Sequence, residues 1–412
     1  MARSLYICYF GVREPLVQTQ VIPYLRELVK GGHEILLLTF EPGDGAAELQ
    51  SAGAAELREE LKAQGIEWHW LRYHKRPSAI ATAYDIFRGA IFVRRMIGRR
   101  QLDILHGRVH VPTLMAAIAR KFSRRRPKLL FDIRGFFPEE YTDAGIWPEN
   151  GWLYRSAKRV ERWLMRESDG FVVLTEKARE ILFPESKETG FDRHGRPVEV
   201  IPCCVDLKSR FGNVDPGVRE EMRRSIGADG RYVITHVGAL GGLYLQNEIA
   251  DFLAAARDND PSVFALFLTQ SRPESIEPLL RERGFGESDF VVKKVAAADV
   301  PKYLEASDLG LSFVKASYAT QSRSPTKIPE YLACGLPIVA NAGVGDVDQL
   351  VAGNNAGALV DEFLPEGYRD AIRKVQAEVP GPESLRALAA REFDLETVGG
   401  ERYRRLYKRL AS

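Results

Sequence analysis

The stretch Ser322-Arg-Ser-Pro-Thr-Lys-Ile-Pro-Glu-Tyr-Leu-Ala-Cys-Gly-Leu-Pro-Ile-Val-Ala-Asn341 decides the fold. It reads as a loop, a short helix with a marked start, a tight turn and a buried strand. Ser324 has the side chain of an N-cap and Pro325 suits the first helical position. The amides of Thr326 and Lys327 are then predicted to leave the helix start unpaired, where anions are attracted. Lys327 puts a full cation in the first turn, where the helix dipole favours acids. A charge placed where it costs stability points to an anionic ligand. Glu330, three residues after Lys327 and four after Thr326, shares their face. That face offers a phosphate cradle and, about one turn deeper, a carboxylate able to accept two sugar hydroxyls, which is the layout a nucleoside diphosphate needs. An ordinary capped helix with scattered charges fits the same spacing.

Outward from this stretch, short apolar runs alternate with helical patterns. Strands are predicted at Leu5–Phe10, Glu34–Phe40, Glu67–Arg72, Asp103–His106, Lys128–Ile133 and Phe171–Thr175. Helices are predicted at Gln20–Lys30, 46–64, 78–99, 112–123 and 151–168. The second half repeats the scheme, with strands at Tyr232–Val237, Val263–Thr269, Phe290–Lys294, Leu309–Val314 and Pro337–Asn341. Its helices fall at 244–258, 273–283, 298–306, 326–334 and 365–378, and a last helix spans about Glu396–Leu410. Buried strands alternating with helices imply an α/β chain of two doubly wound parallel sheets. A length of 412 residues also suggests two domains.

The segment around Glu330 resembles the donor-binding segment of the retaining glycosyltransferases of family 4, whose GT-B fold sets two Rossmann-like domains facing a cleft. That family usually carries two Glu residues separated by seven others, followed by Ala-x-Gly-x-Pro-Val-Val. Glu330 matches the second Glu, which in the family binds the donor ribose. The first would fall at Ser322, so this chain resembles a branch with Ser-Pro-Thr-Lys before Glu-Tyr-Leu-Ala. Val198-Glu-Val-Ile-Pro-Cys-Cys-Val-Asp206 resembles the family's Val-Ile-Pro-Asn-Gly-Val-Asp, which leads into the interdomain linker. The resemblance implies an acceptor domain over 1–205, a nucleotide-sugar domain over 206–392 and a terminal helix over 393–412 able to cross back to the first domain.

It also implies site residues. His236-Val-Gly-Ala-Leu-Gly-Gly-Leu-Tyr244 resembles the first donor loop, in which Gly241 and Gly242 let the backbone approach a phosphate. The family's Arg and Lys near this loop are missing here. Lys327, Arg323 and Lys315 are the candidates to meet the diphosphate charge, with Ser324 and Thr326 at the helix start. Base choice would rest on the backbone around Lys294 and Val295. In Phe131-Asp-Ile-Arg-Gly-Phe-Phe-Pro-Glu-Glu-Tyr-Thr-Asp143, Arg134 stands where many members have a His. An Arg there can hold a phosphate or carboxylate but cannot act as a base; alternatively, Asp132 and Arg134 form a structural pair. Lys327, Glu330 and Arg134 are thus the catalytic candidates. Arg13, Gln18, Glu140 and Asp143 are the acceptor candidates, although Gln18 and Thr19 would equally serve as helix caps, Glu139, Glu140 and Asp143 as a polar rim, and Asp346 as the cap of the following helix.

Composition narrows the function classes. No apolar run approaches the roughly 20 residues that span a bilayer, and four Cys without CxxC spacing suggest neither a disulfide framework nor zinc. A reducing cytoplasm is the simplest setting. His69, His74, His106 and His110 show no metal-ligand spacing, so neither metal nor cofactor is expected beyond the nucleotide-sugar itself. Residues 1–205 hold 32 Lys and Arg against 26 Asp and Glu, while 206–412 hold 26 against 30. Arg88, Arg95 and Arg99 lie opposite the apolar stripe Ile86, Ala90, Val93 and Ile97. This is either a solvated face or one attracted to anionic lipid in a peripheral membrane protein. Nucleic acid is disfavoured because no aromatic residues interleave with the cations. The expected activity is transfer of a sugar, with retention, from a nucleoside-diphosphate sugar to a glycan, lipid-linked or small-molecule acceptor. The alternatives are an epimerase or phosphorylase on the same fold, or a degenerate binding partner. A dehydrogenase would need the GxGxxG fingerprint that is absent.

Overall fold

The computed structural model describes residues 2–43, 52–74, 76, 78–212 and 216–411. Two units divide the chain: Met1–Pro202 together with Gly399–Ser412, and Cys203–Val398. The start of the helix expected over 46–64 lies outside the described residues; its remainder forms Ala52–Ala63.

In the first unit, β1 (Arg3–Ile7), β2 (Glu34–Glu41), β3 (Ile66–Arg72), β4 (Ile104–Arg108), β5 (Lys128–Ile133), β6 (Gly170–Val173) and β7 (Val198–Val200) form one sheet. Its order is β3-β2-β1-β4-β5-β6-β7 and every pairing is parallel. Parallel strands need crossover helices, which cover both faces, so every residue of β4 and all but the first of β1 and β5 are buried. The order reverses between β1 and β4, and ligands of open α/β sheets collect beyond the carboxyl ends at such a point. The helix Glu401–Ala411 completes this unit: Arg402 donates to the Val200 carbonyl (2.7 Å) and Arg405 clasps Glu199 (2.8 and 2.7 Å).

In the second unit, β8 (Tyr232–Val237), β9 (Val263–Leu268), β10 (Phe290–Lys293), β11 (Leu309–Ser312), β12 (Ile338–Asn341) and β13 (Gly357–Val360) pair in parallel in the order β10-β9-β8-β11-β12-β13. Here the reversal lies between β8 and β11. Every residue of β9, Val-Phe-Ala-Leu-Phe-Leu, is buried, as a central parallel strand requires.

Several local expectations change. The helix expected over Gln20–Lys30 begins at Ile22, with Pro23 in its first turn, and a separate helix, Pro15–Gln20, precedes it across Val21 (φ −126°, ψ −66°). The expected 273–283 helix breaks at Ile276 into a 3-10 turn, Pro273–Ser275, and the helix Glu277–Glu282. The last helix begins at Glu401, after a π-helical turn over Leu395–Gly400, rather than at Glu396. Gly400 permits that approach, since a Cβ there would sit 2.8 Å from Glu27 Cβ.

Candidate functional site

The helix Lys327–Ala333 is fixed by one aromatic ring. Tyr331 is fully buried over Gly310 of β11, where any Cβ would meet the ring at 2.4 Å. Its hydroxyl donates to the Leu311 carbonyl (3.1 Å) and accepts from the Val237 amide (3.0 Å). Tyr331 therefore pins the helix to the ends of β8 and β11, the two strands that flank the reversal. The helix closes in a Schellman turn, with Leu336 N–H to Tyr331 O and Gly335 N–H to Leu332 O (both 2.9 Å). Gly335 takes the required left-handed conformation (φ +74°).

This anchoring puts Lys327 in the interior, 3% exposed. Its Nζ lies 4.3 Å from the centroid of Tyr244 and, among the described residues, has no hydrogen-bond partner. Burial pulls its pKa down to about 7, opposed by the charge of Glu330. A buried amine normally finds acceptors, so this one is placed to meet an acceptor that arrives with a ligand. In the turn after β8, Gly238 takes a backbone conformation that side chains rarely adopt (φ +112°) and lies beside Lys327, while a Cβ on Gly242 would meet nothing within 4 Å. Gly241 packs near Gln246. The Gly turn is tied to the end of β11 by Lys315 N–H to Leu243 O (2.8 Å) and by a bridge between Tyr244 and Val314. Asn341, at the end of β12, clamps the same segment through both the amide and the carbonyl of Val314 (2.8 and 2.9 Å).

Glu330 is also buried. Burial raises its pKa and Arg210 opposes this through a 3.3 Å contact, Nη1 to Oε1. Arg210 also donates to the Ala297 carbonyl (2.7 Å), and Gln270 donates to the Val295 carbonyl (3.1 Å). The carboxylate and the Ala297 carbonyl thus share one guanidinium. Arg210 carries no motif signal, because its neighbours belong to a linker-like segment; it becomes visible only in three dimensions. Tyr244 and Tyr331 escaped for a similar reason, since apolar residues on a loop and a helix read as ordinary core.

Other sequence-predicted residues fall differently. Ser324 does not cap the helix: the cap position is Thr326, in helical conformation and without a side-chain bond, while Ser324 Oγ accepts from the Cys203 amide (3.1 Å). The helix is also only seven residues long, so its dipole is small and the positive field here comes chiefly from Lys327. Arg323 is half-buried, close enough to Tyr244 for its charge to act on that hydroxyl. Ser322 is buried and donates to the Ala319 carbonyl (2.7 Å). Asp346 stands at a cap position without making the cap bond.

Arg134 lies in the first unit as part of a buried cluster. Its Nε is 3.4 Å from Asp132 Oδ1, and Arg108, His106 and Tyr403 converge on Oδ2. The structural pair with Asp132 weighed in the sequence is formed. The acceptor candidates gather in loops and short helices beyond the strands of this sheet. Arg13 is exposed after β1, and Gln18 donates to the Val12 carbonyl (2.6 Å). Glu140 and Asp143 lie half-buried on the helix Phe137–Asp143 that follows β5. Glu139 beside them is paired with Lys158 (2.9 Å).

Comparison with known proteins supplies the family and the fold. Residues 17–204 match the family described as a glycosyl transferase 4-like domain, and residues 232–378 match glycosyl transferases group 1. The chain belongs to the glycosyltransferases. Spore coat protein SA of Bacillus subtilis (strain 168) is 26% identical over 202 residues, 46% of this chain and 52% of that protein, so the chain matches only about half the length of this curated relative. Among solved structures, a glycosyltransferase from Rickettsia africae ESF-5 superposes with a TM-score of 0.69 at 14% identity, covering 99% of this chain and 98% of its own. Anabaena Alr3699/HepE, solved in complex with UDP and glucose, gives a TM-score of 0.69 at 16% identity, covering 99% and 100%. Those two likenesses establish the GT-B fold.

Proposed function

We propose that this glycosyltransferase moves a sugar from a nucleoside-diphosphate sugar to a glycan or lipid-linked acceptor, in the cytoplasm and without a metal. The observation that carries the reading is the buried amine of Lys327, without a hydrogen-bond partner among the described residues, beside a glycine-lined turn at the strand reversal of the second unit. The UDP and glucose bound by Alr3699/HepE support a donor of this class, with UDP as the first nucleotide to try. The four buried free cysteines suit a reducing compartment.

Cleavage of the bond between the sugar and the diphosphate sends its electron pair to a phosphate oxygen. A cation already in place there stabilises the developing charge without reorganisation. Phosphate raises the amine's proton affinity again, so Lys327 is charged when the donor is bound. Gly241 and Gly242 admit the diphosphate close to the backbone, and Arg323 and Thr326 flank it. Glu330, in contact with Arg210, accepts the ribose hydroxyls, and the Val295–Ala297 backbone meets the base. Retention of configuration follows from the family resemblance.

The test is calorimetry with UDP, GDP, ADP and CDP, followed by incubation of the matching nucleotide-sugar with and without acceptor. Binding of one diphosphate and acceptor-dependent release of it are expected. Binding to none would remove the transferase reading, and conversion of donor without acceptor would make the protein an epimerase.

A further inference from the structure

Three crossover helices, Ser78–Arg100, His110–Lys121 and Trp152–Glu167, lie side by side on the first unit, the middle one packed against both others. Residues 78–100, 110–128 and 152–167 carry 16 Lys and Arg against three acids, although the whole chain is only +2. The acids do little for the outer face. Asp85 is buried under it, bound to Tyr9 and His74, and Glu161 is held by Lys158 and His110. Arg94, Arg95, Arg99, Arg159, Arg162 and Arg166 are exposed, and none has an ion-pair partner among the described residues. Arg95 and Arg99, Arg159 and Arg162, and Arg162 and Arg166 stand three or four residues apart, where like charges repel. Cations concentrated on one face without internal partners are complementary to an external polyanion.

The apolar side chains identify which polyanion. Crossover helices run against the strands they connect, so their first turns lie at the carboxyl edge of the sheet. There Ile80 (71% exposed), Tyr84 and Phe87 (61%) line one side of the first helix, and Trp152 (73%) opens the third. Aromatic and aliphatic groups in solvent at one end of an arginine-rich layer match a bilayer interface, where rings enter the headgroup boundary and guanidiniums meet lipid phosphates. Nucleic acid would call for rings interleaved with the cations; here Ile80, Phe87 and Trp152 stand apart from Arg94, Arg95, Arg99, Arg159, Arg162 and Arg166, while Phe122 (65% exposed) lies beside Lys121 at the far end of the middle helix and Tyr84 is covered by Arg88. We propose that this face docks on an anionic bilayer, inserting its apolar end and laying the arginines over the headgroups. Docking would bring the loops that carry Arg13, Gln18, Glu140 and Asp143 towards the membrane. That consequence rests on the transferase reading; the docking itself does not, and it is measured without nucleotide.

The test is cosedimentation of the full chain with phosphatidylcholine vesicles, with and without about one third phosphatidylglycerol. Binding is expected only to the anionic vesicles and to weaken with salt. Arg159→Glu with Arg162→Glu and Arg166→Glu should lower partitioning about a hundredfold or more, and Arg94→Glu with Arg95→Glu and Arg99→Glu should do the same from the other helix. Phe87→Ser with Trp152→Ser should remove the salt-resistant fraction. An unchanged melting temperature establishes that each variant is folded. No binding to anionic vesicles, equal binding to neutral ones, or stronger binding to duplex DNA than to vesicles would overturn the proposal.

Discussion

The two sheets reverse their strand order in the same way, yet the polar groups gathered at the two reversals differ. In the first unit, Arg108, Arg134, His106 and Asp132 answer one another, and Tyr403 and Tyr407 from the terminal helix complete the set (Tyr403 to Asp132 3.0 Å, Tyr407 to His106 2.9 Å). Burial alone would raise the pKa of Asp132, but Arg134, then His106 and Arg108, hold it far below the usual range. In the second unit the corresponding position holds Lys327, whose amine has no answering oxygen among the described residues. A buried charge whose partners are all within the chain is architecture, whereas one without a partner is half of an interaction.

The largest expected effect breaks the first half of that contrast. Asp132→Ala leaves two buried guanidiniums without their carboxylate and should destabilise the first unit by about 3–5 kcal/mol, seen as an earlier denaturant transition. Little change would show that the cluster is dispensable. Lys327→Met should act oppositely, keeping the protein folded while lowering turnover about 10²–10³-fold; near-normal turnover would remove Lys327 from the chemistry. Glu330→Ala should weaken nucleoside-diphosphate binding by about 1.5–3 kcal/mol, the range for hydrogen bonds to a charged group, as read by calorimetry. A pH series sharpens the contrast further. Between about pH 7 and 9 the unfolded Lys327 stays protonated while the folded amine loses its proton, so the unfolded state binds more protons and stability rises with pH. The melting temperature of the unliganded protein should rise over this window relative to Lys327→Met, and parallel curves would contradict the depressed amine. The smallest effect is Arg210→Met, which frees Glu330 and the Ala297 carbonyl together and should cost about tenfold in nucleotide affinity, about 1.4 kcal/mol, with the fold intact.

The architecture was legible wherever burial is continuous. Lys128–Ile133 and Tyr232–Val237 are strands over those same residues, because each holds an uninterrupted buried run, Leu129–Ile133 and Val233–His236. Val198–Val200 and Gly357–Val360 were not read as strands, since three or four residues are too short to show a period. Helices such as Glu176–Leu182 and Val347–Gly353 went unread because seven residues span barely two turns. In the candidate site, Lys327 and Glu330 were visible from their spacing. Arg210 was not, because its partners Glu330 and Ala297 lie 120 and 87 residues away. Ser324 looked like a cap because sequence cannot show that the Cys203 amide, 121 residues earlier, claims its hydroxyl.

The return of residues 399–412 to the first unit sets an order of events during synthesis. The partners that Asp132 and His106 find in Tyr403 and Tyr407 emerge 271 and 301 residues later. At translation rates of about 5–20 residues per second that is a delay of roughly 14–60 seconds. Throughout it the nascent amino-terminal sheet lacks its closing helix, while the carboxyl-terminal sheet can assemble from contiguous chain. The unit made first is therefore the one finished last, and a chaperone that shields unfinished chains on the ribosome would find its binding site there.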